Sequence, residues 1–193
     1  MFAKLDSLKK SGKIASYGVS IEKVSEGLQA MDYEISAIEV IFNMFRLKPT
    51  EELFPIAEKN NIGIITRVPL ASGLLTGRYN QNTIFGVNDH RTYNRNGESF
   101  DKGETFSGVD YTLGLQAVEE LKKLFGTEDL IPYALRWILM YNAVSVVIPG
   151  ASKVEQVYSN IRAAELPELT QEQMDGVKAV YDNYIKESVH TSW

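Results

Sequence analysis

The amino-acid sequence predicts an α/β fold in which four parallel β-strands alternate with helices. Short apolar runs alternate with longer amphipathic ones, and small or polar residues follow the apolar runs. Strands that alternate with helices form parallel sheets joined by right-handed crossovers. The nearly continuous apolar character of each strand predicts a sheet buried on both faces. The 193 residues are expected to form a single domain.

The four predicted strands are short runs rich in β-branched and aromatic residues and bounded by turn signals. They comprise residues 14–19, 37–42, 62–67 and 144–148. Small or polar groups follow each run, as at Ser20 after the first and Asn43 after the second. Ligands of parallel α/β proteins bind at the carboxyl ends of strands, so these groups are expected to lie where a site forms.

The predicted helices show apolar residues at helical spacing and have recognisable ends. Thr50 is expected to cap the second helix, and Gly126 to end the third. Pro132 falls in the first turn of the fourth, where proline is tolerated, and Thr170 is expected to cap the last. The predicted segments are residues 22–31, 50–60, 113–125, 129–141, 153–164 and 170–187.

Residues 78–112 lack any hydrophobic periodicity and are rich in Asn, Gly, Asp, Thr and Arg. A connection of this length inside a compact domain is typical of a functional lid or of a disordered segment. The sequence leaves both interpretations open.

Composition excludes several classes of function. The formal net charge is −5, which argues against a dedicated nucleic-acid or anionic-membrane surface. The chain has no cysteine, and its two histidines, His90 and His190, lie far apart, so neither thiolate chemistry nor a metal site is expected. No apolar run approaches the roughly 18 residues that a membrane span needs. A cytoplasmic protein is the default expectation.

The turn after the fourth strand is a candidate phosphate site. Small residues at Gly150, Ala151 and Ser152 would let a phosphate approach the backbone at the N-terminus of the following helix. Lys153 adds a positive charge, and Gln156 and Asn160 follow at helical spacing. The alternative is an ordinary strand-to-helix turn with Ser152 as its cap.

Three motifs in order resemble those of aldo-keto reductases. Residues 12–20 (GKIASYGVS) resemble the fifth-strand signature G-K-I-R-x-x-G-x-S-N, and residues 67–78 (RVPLASGLLTGR) resemble the loop P-L-A-x-G-x-L-T-G-K. Residues 148–160 resemble the signature I-P-G-A-S-R-x-x-Q-x-x-x-N. The resemblance covers essentially the whole chain. It implies that residues 1–193 form one partial barrel domain, the C-terminal half of a (β/α)8 TIM barrel with strands five to eight.

The resemblance also implies an NADP(H)-dependent oxidoreductase of aldehydes and ketones. By position, Ser20 would contact the nicotinamide carboxamide, and Arg67 would lie against the nicotinamide ring, where many members have tyrosine. Leu70 and Ser72 would line the pyrophosphate path. Around the adenosine, Lys153 and Gln156 would approach the 2′-phosphate, and Asn160 the adenine.

Three positions depart from the family's pattern. Ile21 replaces the usual asparagine after the serine and removes a carboxamide contact. Glu39 stands where glutamine is common and adds a negative charge near the nicotinamide. Ser159 replaces a frequent glutamate at the adenine. These departures alter the contacts expected with the cofactor.

The family's catalytic Asp, Tyr, Lys and His lie on or just after its first four strands, and none can be assigned in this chain. No residue is therefore expected to be catalytic, and the chain is expected to bind NADP(H) but to be inactive alone. Two alternatives remain: a half-barrel that binds a nucleotide without chemistry, and a subunit-type interaction protein. Because four strands cannot close a barrel, the outer strands are expected to be covered by a second copy or by a complementary N-terminal half.

Overall fold

The computed structural model describes residues 1–193 and contains one sheet of four strands. The strands lie in the order β1 (Gly18–Ser20), β2 (Ala37–Ile41), β3 (Gly63–Arg67) and β4 (Val144–Val147). All three neighbouring pairs are parallel, which confirms the predicted α/β arrangement. β1 and β4 are the two edges, and the sheet does not close on itself.

The first strand is shorter than predicted. The sequence indicated residues 14–19, whereas the ladder with β2 covers only Gly18–Ser20. A strand persists only where a neighbour pairs with it, and β1 has β2 on one side only. At Gly18 the backbone of β2 approaches so closely that the Ala37 carbonyl occupies the space of a side chain. Glycine is therefore required at this position.

Helices alternate with the strands along the chain, as predicted, and a further short helix, His90–Tyr93, lies inside the segment predicted as a loop. The helices are α1 (Phe2–Lys10), α2 (Val24–Ala30), α3 (Leu53–Lys59), α4 (His90–Tyr93), α5 (Tyr111–Phe125), α6 (Ile131–Ile138), α7 (Val154–Arg162), α8 (Gln171–Val180) and α9 (Lys186–Val189). A π-helical turn, Tyr181–Ile185, joins α8 to α9. None of these helices is both long and apolar enough to cross a bilayer.

Most predicted helix ends are confirmed. Gly126 ends α5 with φ 62°, Pro132 lies at the start of α6, and the Thr170 side chain accepts a hydrogen bond from the N–H of Gln173. The prediction for Thr50 was wrong. Thr50 ends a short 3₁₀ turn and donates to the Leu47 carbonyl (2.8 Å), and α3 begins only at Leu53.

Only β2 and β3 have a fully buried face, and only one each, which corrects the expectation of a sheet buried on both faces. In β2, Ile38 and Val40 belong to the hydrophobic core, whereas Ala37 and Glu39 remain half-buried. The same alternation runs along β3, and most of β1 is exposed. Four strands do not close, so no second layer covers the other face.

Residues 78–112 contain α4 and two short 3₁₀ turns, Lys102–Glu104 and Phe106–Gly108. The second turn is buried against the rest of the molecule. A lid-like movement of this segment stays a prediction.

Candidate functional site

A cleft of about 1000 Å³ lies at the carboxyl ends of β3 and β4. Its walls come from the turn after β3, the segment around residues 90–104 and the start of α7. Seven of the eleven predicted site residues line it: Leu70, Ser72, Gly150, Ala151, Ser152, Gln156 and Asn160. The fold thus brings together two motifs that are separated by some 80 positions in the chain.

The β4–α7 turn is exposed but is not free of internal hydrogen bonds. The Gln156 side-chain oxygen accepts from the backbone N–H groups of Ser152 (2.7 Å) and Lys153 (3.1 Å) and from the Ser152 hydroxyl (3.2 Å). Ser152 therefore does not cap α7, since the residue preceding the helix is Lys153. A phosphate that used these N–H groups would have to displace the Gln156 amide.

Lys153 lies outside the cleft lining, and its ammonium group makes no ion pair. The long, exposed side chain begins one residue after Ser152, at the rim of the cleft. It is a cation available to a ligand that extends beyond the cleft.

Arg67, at the end of β3, is held by carboxylates. Its guanidinium Nη2 lies 2.7 Å from a Glu22 oxygen, Nη1 pairs with Glu104, and Nε lies 4.0 Å from Glu39. The Arg67 side chain is only 12% exposed, and it also donates to the Ile21 carbonyl (3.2 Å). The guanidinium is thus fixed in place by neighbours from three parts of the chain.

Arg67 and two of its carboxylate partners connect two other predicted residues, Ser20 and Glu39, to the cleft. Ser20 is exposed and lies opposite Glu39 in the β1–β2 register. Glu22 and Glu104 line the cleft and pair with Arg67. Ser20 at the end of β1, Glu39 in the middle of β2 and Arg67 at the end of β3 therefore lie next to the cleft rather than inside it.

Burial raises the pKa of the Glu22 carboxyl above its usual range, and the nearby Glu104 adds to this, whereas Arg67 opposes it. One Glu22 oxygen is buried without a hydrogen-bond partner. The charges around Arg67 are not balanced, because the carboxylates of Glu22, Glu39 and Glu104 share its one guanidinium.

The cleft wall after β3 is built on unusual backbone conformations. Val68, Ala71 and Ser72 have positive φ values of 51°, 47° and 54°. Such values are uncommon outside glycine, and for a β-branched valine they are a true outlier. The surrounding hydrogen bonds hold this conformation. The Ser72 hydroxyl donates to the Glu104 carbonyl (2.9 Å) and accepts from the Phe106 N–H (3.0 Å).

Asn43 fixes the same wall from the end of β2. Its side-chain nitrogen donates to the Val68 carbonyl (2.9 Å) and to the Ser107 hydroxyl (2.7 Å), and its oxygen accepts from the Phe45 N–H (2.8 Å). Asn43 is fully buried, so these bonds replace all contact with water.

Sequence reasoning left the segment 78–112 as a possible lid and named none of its residues for the lining. His90, Arg91, Phe100, Asp101 and Glu104 all line the cleft. The one local signal was Asp89, which caps α4 by accepting from the Arg91 N–H (2.9 Å). The ion pair of Asp89 with the Arg91 guanidinium (2.5 Å) then orients the arginine toward the Ser72 carbonyl (3.3 Å).

Fold and cleft together define a parallel α/β protein with a cleft where the strands end, which is the usual place for a ligand in such folds. The sequence profile of the Aldo/keto reductase family matches residues 1–182. The chain belongs to this family.

Relatives are similar over most of this chain but extend well beyond it. An uncharacterized oxidoreductase, YqkF of Bacillus subtilis, is 30% identical over 180 residues, which are 90% of this chain and 52% of the relative. The aldo-keto reductase yakc [NADP(+)] of Schizosaccharomyces pombe is 26% identical over 84% of this chain and 48% of its own length. The glycerol dehydrogenase AKR11B4 of Gluconobacter oxydans superposes with a TM-score of 0.72 at 27% identity, over 94% of this chain and 53% of that structure. The chain spans about half the length of the relatives it matches, and its fold is a partial barrel.

Proposed function

We propose that this chain is the NADP(H)-binding C-terminal half, strands five to eight, of an aldo-keto reductase-type oxidoreductase of carbonyl substrates. The observation that carries the proposal is the convergence of the 67–78 and 148–160 motifs on one cleft. The cofactor is inferred from the motifs and from the NADP(+) in the name of the yeast relative.

The residues of the cleft fit a dinucleotide. A volume of about 1000 Å³ matches the upper range of small-molecule sites. Nothing lies within 4 Å of the position that a side chain at Gly150 would occupy, so a phosphate has open access to the turn. The mostly exposed Arg78 lines the cleft, and Lys153 lies at its rim. Both cations favour the phosphate groups of the ligand.

Specific contacts follow from the placement of the residues. Lys153 and Gln156 would bind the 2′-phosphate, Asn160 would meet the adenine, and Ser20 would meet the carboxamide at the opposite rim. Two residues are proposed to line the pyrophosphate path, Leu70 and Ser72. The Ser72 hydroxyl already donates to the Glu104 carbonyl, so its proton is not available to the ligand.

We also propose that the chain is inactive alone. Carbonyl reduction in this family needs a tyrosine acid beside a lysine, and neither residue type lines the cleft. Tyr133, Tyr181 and Tyr184 lie on helices, and Tyr141 follows α6 within the aromatic cluster around Trp137. When bound, the cofactor supplies the hydride, and the chain's own residues bind and orient it.

A complementary N-terminal half is the proposed partner, with a second copy as the competing outcome. β4 is paired on one side only, and α7 buries none of its residues. Six of the fourteen exposed large apolar residues lie on or next to these two elements: Val146, Ile148, Val154, Val157, Tyr158 and Ile161. A patch of this kind is typical of a protein interface, and the relatives contain about as much chain again as this one.

Titration with NADPH and NADH tests cofactor binding. The unaltered chain is expected to prefer NADPH, and Lys153→Ala to remove most of that preference, about tenfold, or ~1.4 kcal/mol. Lys123→Ala is the control, because Lys123 is an exposed lysine paired with Glu120 on α5, a helix that contributes nothing to the cleft lining. Absence of NADPH binding at millimolar concentration, with or without a partner half, would contradict the proposal.

The partner is tested by adding a first half that carries the Tyr and Lys of a relative. Reduction of a generic aldehyde is expected only with both halves present. Ile161→Glu should abolish the association, whereas Ile84→Glu should not, although Ile84 is 92% exposed. If the chain forms a stable homodimer that Ile161→Glu dissociates and the first half does not displace, the partner is a second copy.

A further inference from the structure

The segment 101–108 forms one wall of the cleft and carries charge into it. Asp101 and Glu104 line the cleft. Glu104 pairs with Arg67, and the backbone of the segment binds Ser72 through the Phe106 N–H and the Glu104 carbonyl. Any displacement of this wall would therefore move both Arg67 and the turn after β3.

Trp193 packs against the outer side of that wall. The indole is only 9% exposed, although it lies beyond the end of α9. It lies against two glycines. A methyl group at Gly108 would overlap the ring, and one at Gly103 would overlap the Arg46 guanidinium and come within 3.1 Å of the ring. The absence of side chains at both positions creates the space for the ring.

Polar contacts fix the ring in that space. The indole Nε1 donates to an Asp101 oxygen (2.9 Å), the same oxygen that accepts from the Gly103 N–H (2.7 Å). The Arg46 guanidinium lies 4.0 Å from the centre of the ring and also donates to the Glu22 carbonyl (2.9 Å). Cation–π contacts of this kind are strongest where, as here, the arginine is buried.

We propose that Trp193 is a positioning residue of the cleft, which holds the 101–108 wall against Arg46 and so fixes Asp101 and Glu104 for the bound dinucleotide. The dinucleotide part rests on the proposed function. Trp193 does not line the cleft, so its effect on a ligand is transmitted through the wall.

Hydrogen exchange of backbone amides, resolved by residue, tests the wall directly. Trp193→Ala should accelerate exchange at Gly103, Phe106 and Gly108 at least tenfold. Val177→Ala is the matched control, because it removes buried volume from α8, a helix that packs mainly against α5 and the Tyr181–Ile185 turn. Trp193→Phe keeps a ring but loses the Nε1 donor, and should show an intermediate acceleration that is largest at Gly103.

A double-mutant cycle adds a readout that general destabilisation would not produce. Gly108→Ala should disturb folding strongly in the unaltered chain, because its methyl overlaps the indole and its φ is +79°. In the Trp193→Ala background the overlap with the ring is removed and the backbone strain stays, so the two changes should be coupled at least fivefold in the unfolding equilibrium.

Trp193→Ala is expected to bind NADPH about fivefold more weakly than the unaltered chain. Val177→Ala is expected to bind it with unchanged affinity. Equal exchange at the wall in Trp193→Ala and Val177→Ala, or additive effects in the cycle, would overturn the inference. If Trp193→Ala does not fold, the exchange rates of the same amides in Trp193→Phe test the inference instead. Failure of the unaltered chain to bind NADPH would contradict the proposed function, while the exchange result would still decide whether Trp193 holds the wall.

Discussion

Replacing Arg67 by methionine should destabilise the chain and make its stability depend on pH. The change removes the guanidinium that pairs with Glu22 and Glu104 but keeps most of the side-chain volume. Removing one partner of a buried ion pair costs about 3–5 kcal/mol, and an exposed pair is worth about 0–1 kcal/mol. Arg67 is 12% exposed and its carboxylates 29–34%. We therefore expect a loss of about 2–3 kcal/mol in the free energy of unfolding at pH 7.

The direction of the pH dependence follows from Glu22. Its pKa is already raised by burial, and Arg67 supplies the effect that lowers it. Without Arg67 the pKa in the folded state rises further above the unfolded value. The folded state then binds a proton more tightly than the unfolded chain, so stability is gained at low pH and lost as pH rises through the folded pKa. The deficit of Arg67→Met should shrink as pH falls from 8 toward 5.

Urea denaturation across this pH range measures both quantities. Lys9→Met is the control, because the Lys9–Glu34 pair (3.4 Å) is more exposed and should contribute less than about 1 kcal/mol. Adding Glu22→Gln to Arg67→Met should recover part of the loss, since it removes a carboxylate left unpaired. A deficit no larger than that of Lys9→Met, or one independent of pH, would refute the reasoning.

Three further substitutions test the local architecture by equilibrium unfolding. Asn43→Ala should cost about 2–3 kcal/mol, because it leaves buried partners at Val68 and Ser107 unsatisfied. Asp110→Ala should cost about 1 kcal/mol, since it removes the cap of α5, whereas Asp110→Asn should cost little. Gly126→Ala should cost about 1 kcal/mol from its φ of 62° alone, because the space around it is open.

Each of these has an outcome that would contradict it. A neutral Asn43→Ala would mean that water satisfies the wall as well as the amide does. Equal losses for the alanine and asparagine variants of Asp110 would exclude capping as the cause. Asparagine tolerates the left-handed region, so Gly126→Asn should lose less stability than Gly126→Ala. Equal losses in the two variants would exclude backbone strain as the cause.

Local chemistry made the helix ends predictable from sequence. Gly126, Pro132 and Thr170 act through their own backbone or a neighbour a few positions away, so their roles do not depend on the rest of the fold. The prediction for Thr50 failed because Lys48–Thr50 form a separate 3₁₀ turn, in which the Thr50 hydroxyl donates to the Leu47 carbonyl before α3 begins. The short β1 could not be predicted, because its length depends on which residues of β2 lie beside it.

The site was predictable in its motifs and unpredictable in its electrostatics. The 148–160 motif indicated the cleft from its small residues and its position after a strand. The pairing of Arg67 with Glu104 crosses 37 positions into a segment without periodicity, and no local pattern encodes it. Similarly, no local pattern indicated that the Gln156 side-chain oxygen would accept hydrogen bonds from the turn that precedes α7.

The weak anchoring of α7 has a kinetic consequence. This helix carries Gln156 and Asn160, yet none of its side chains is buried in the core. Segments with so few buried apolar contacts open far more readily than the rest of a protein. Ligand capture at this end of the cleft would then have to order the helix as well as bind, which would weaken affinity and quicken release until a neighbouring surface immobilises α7.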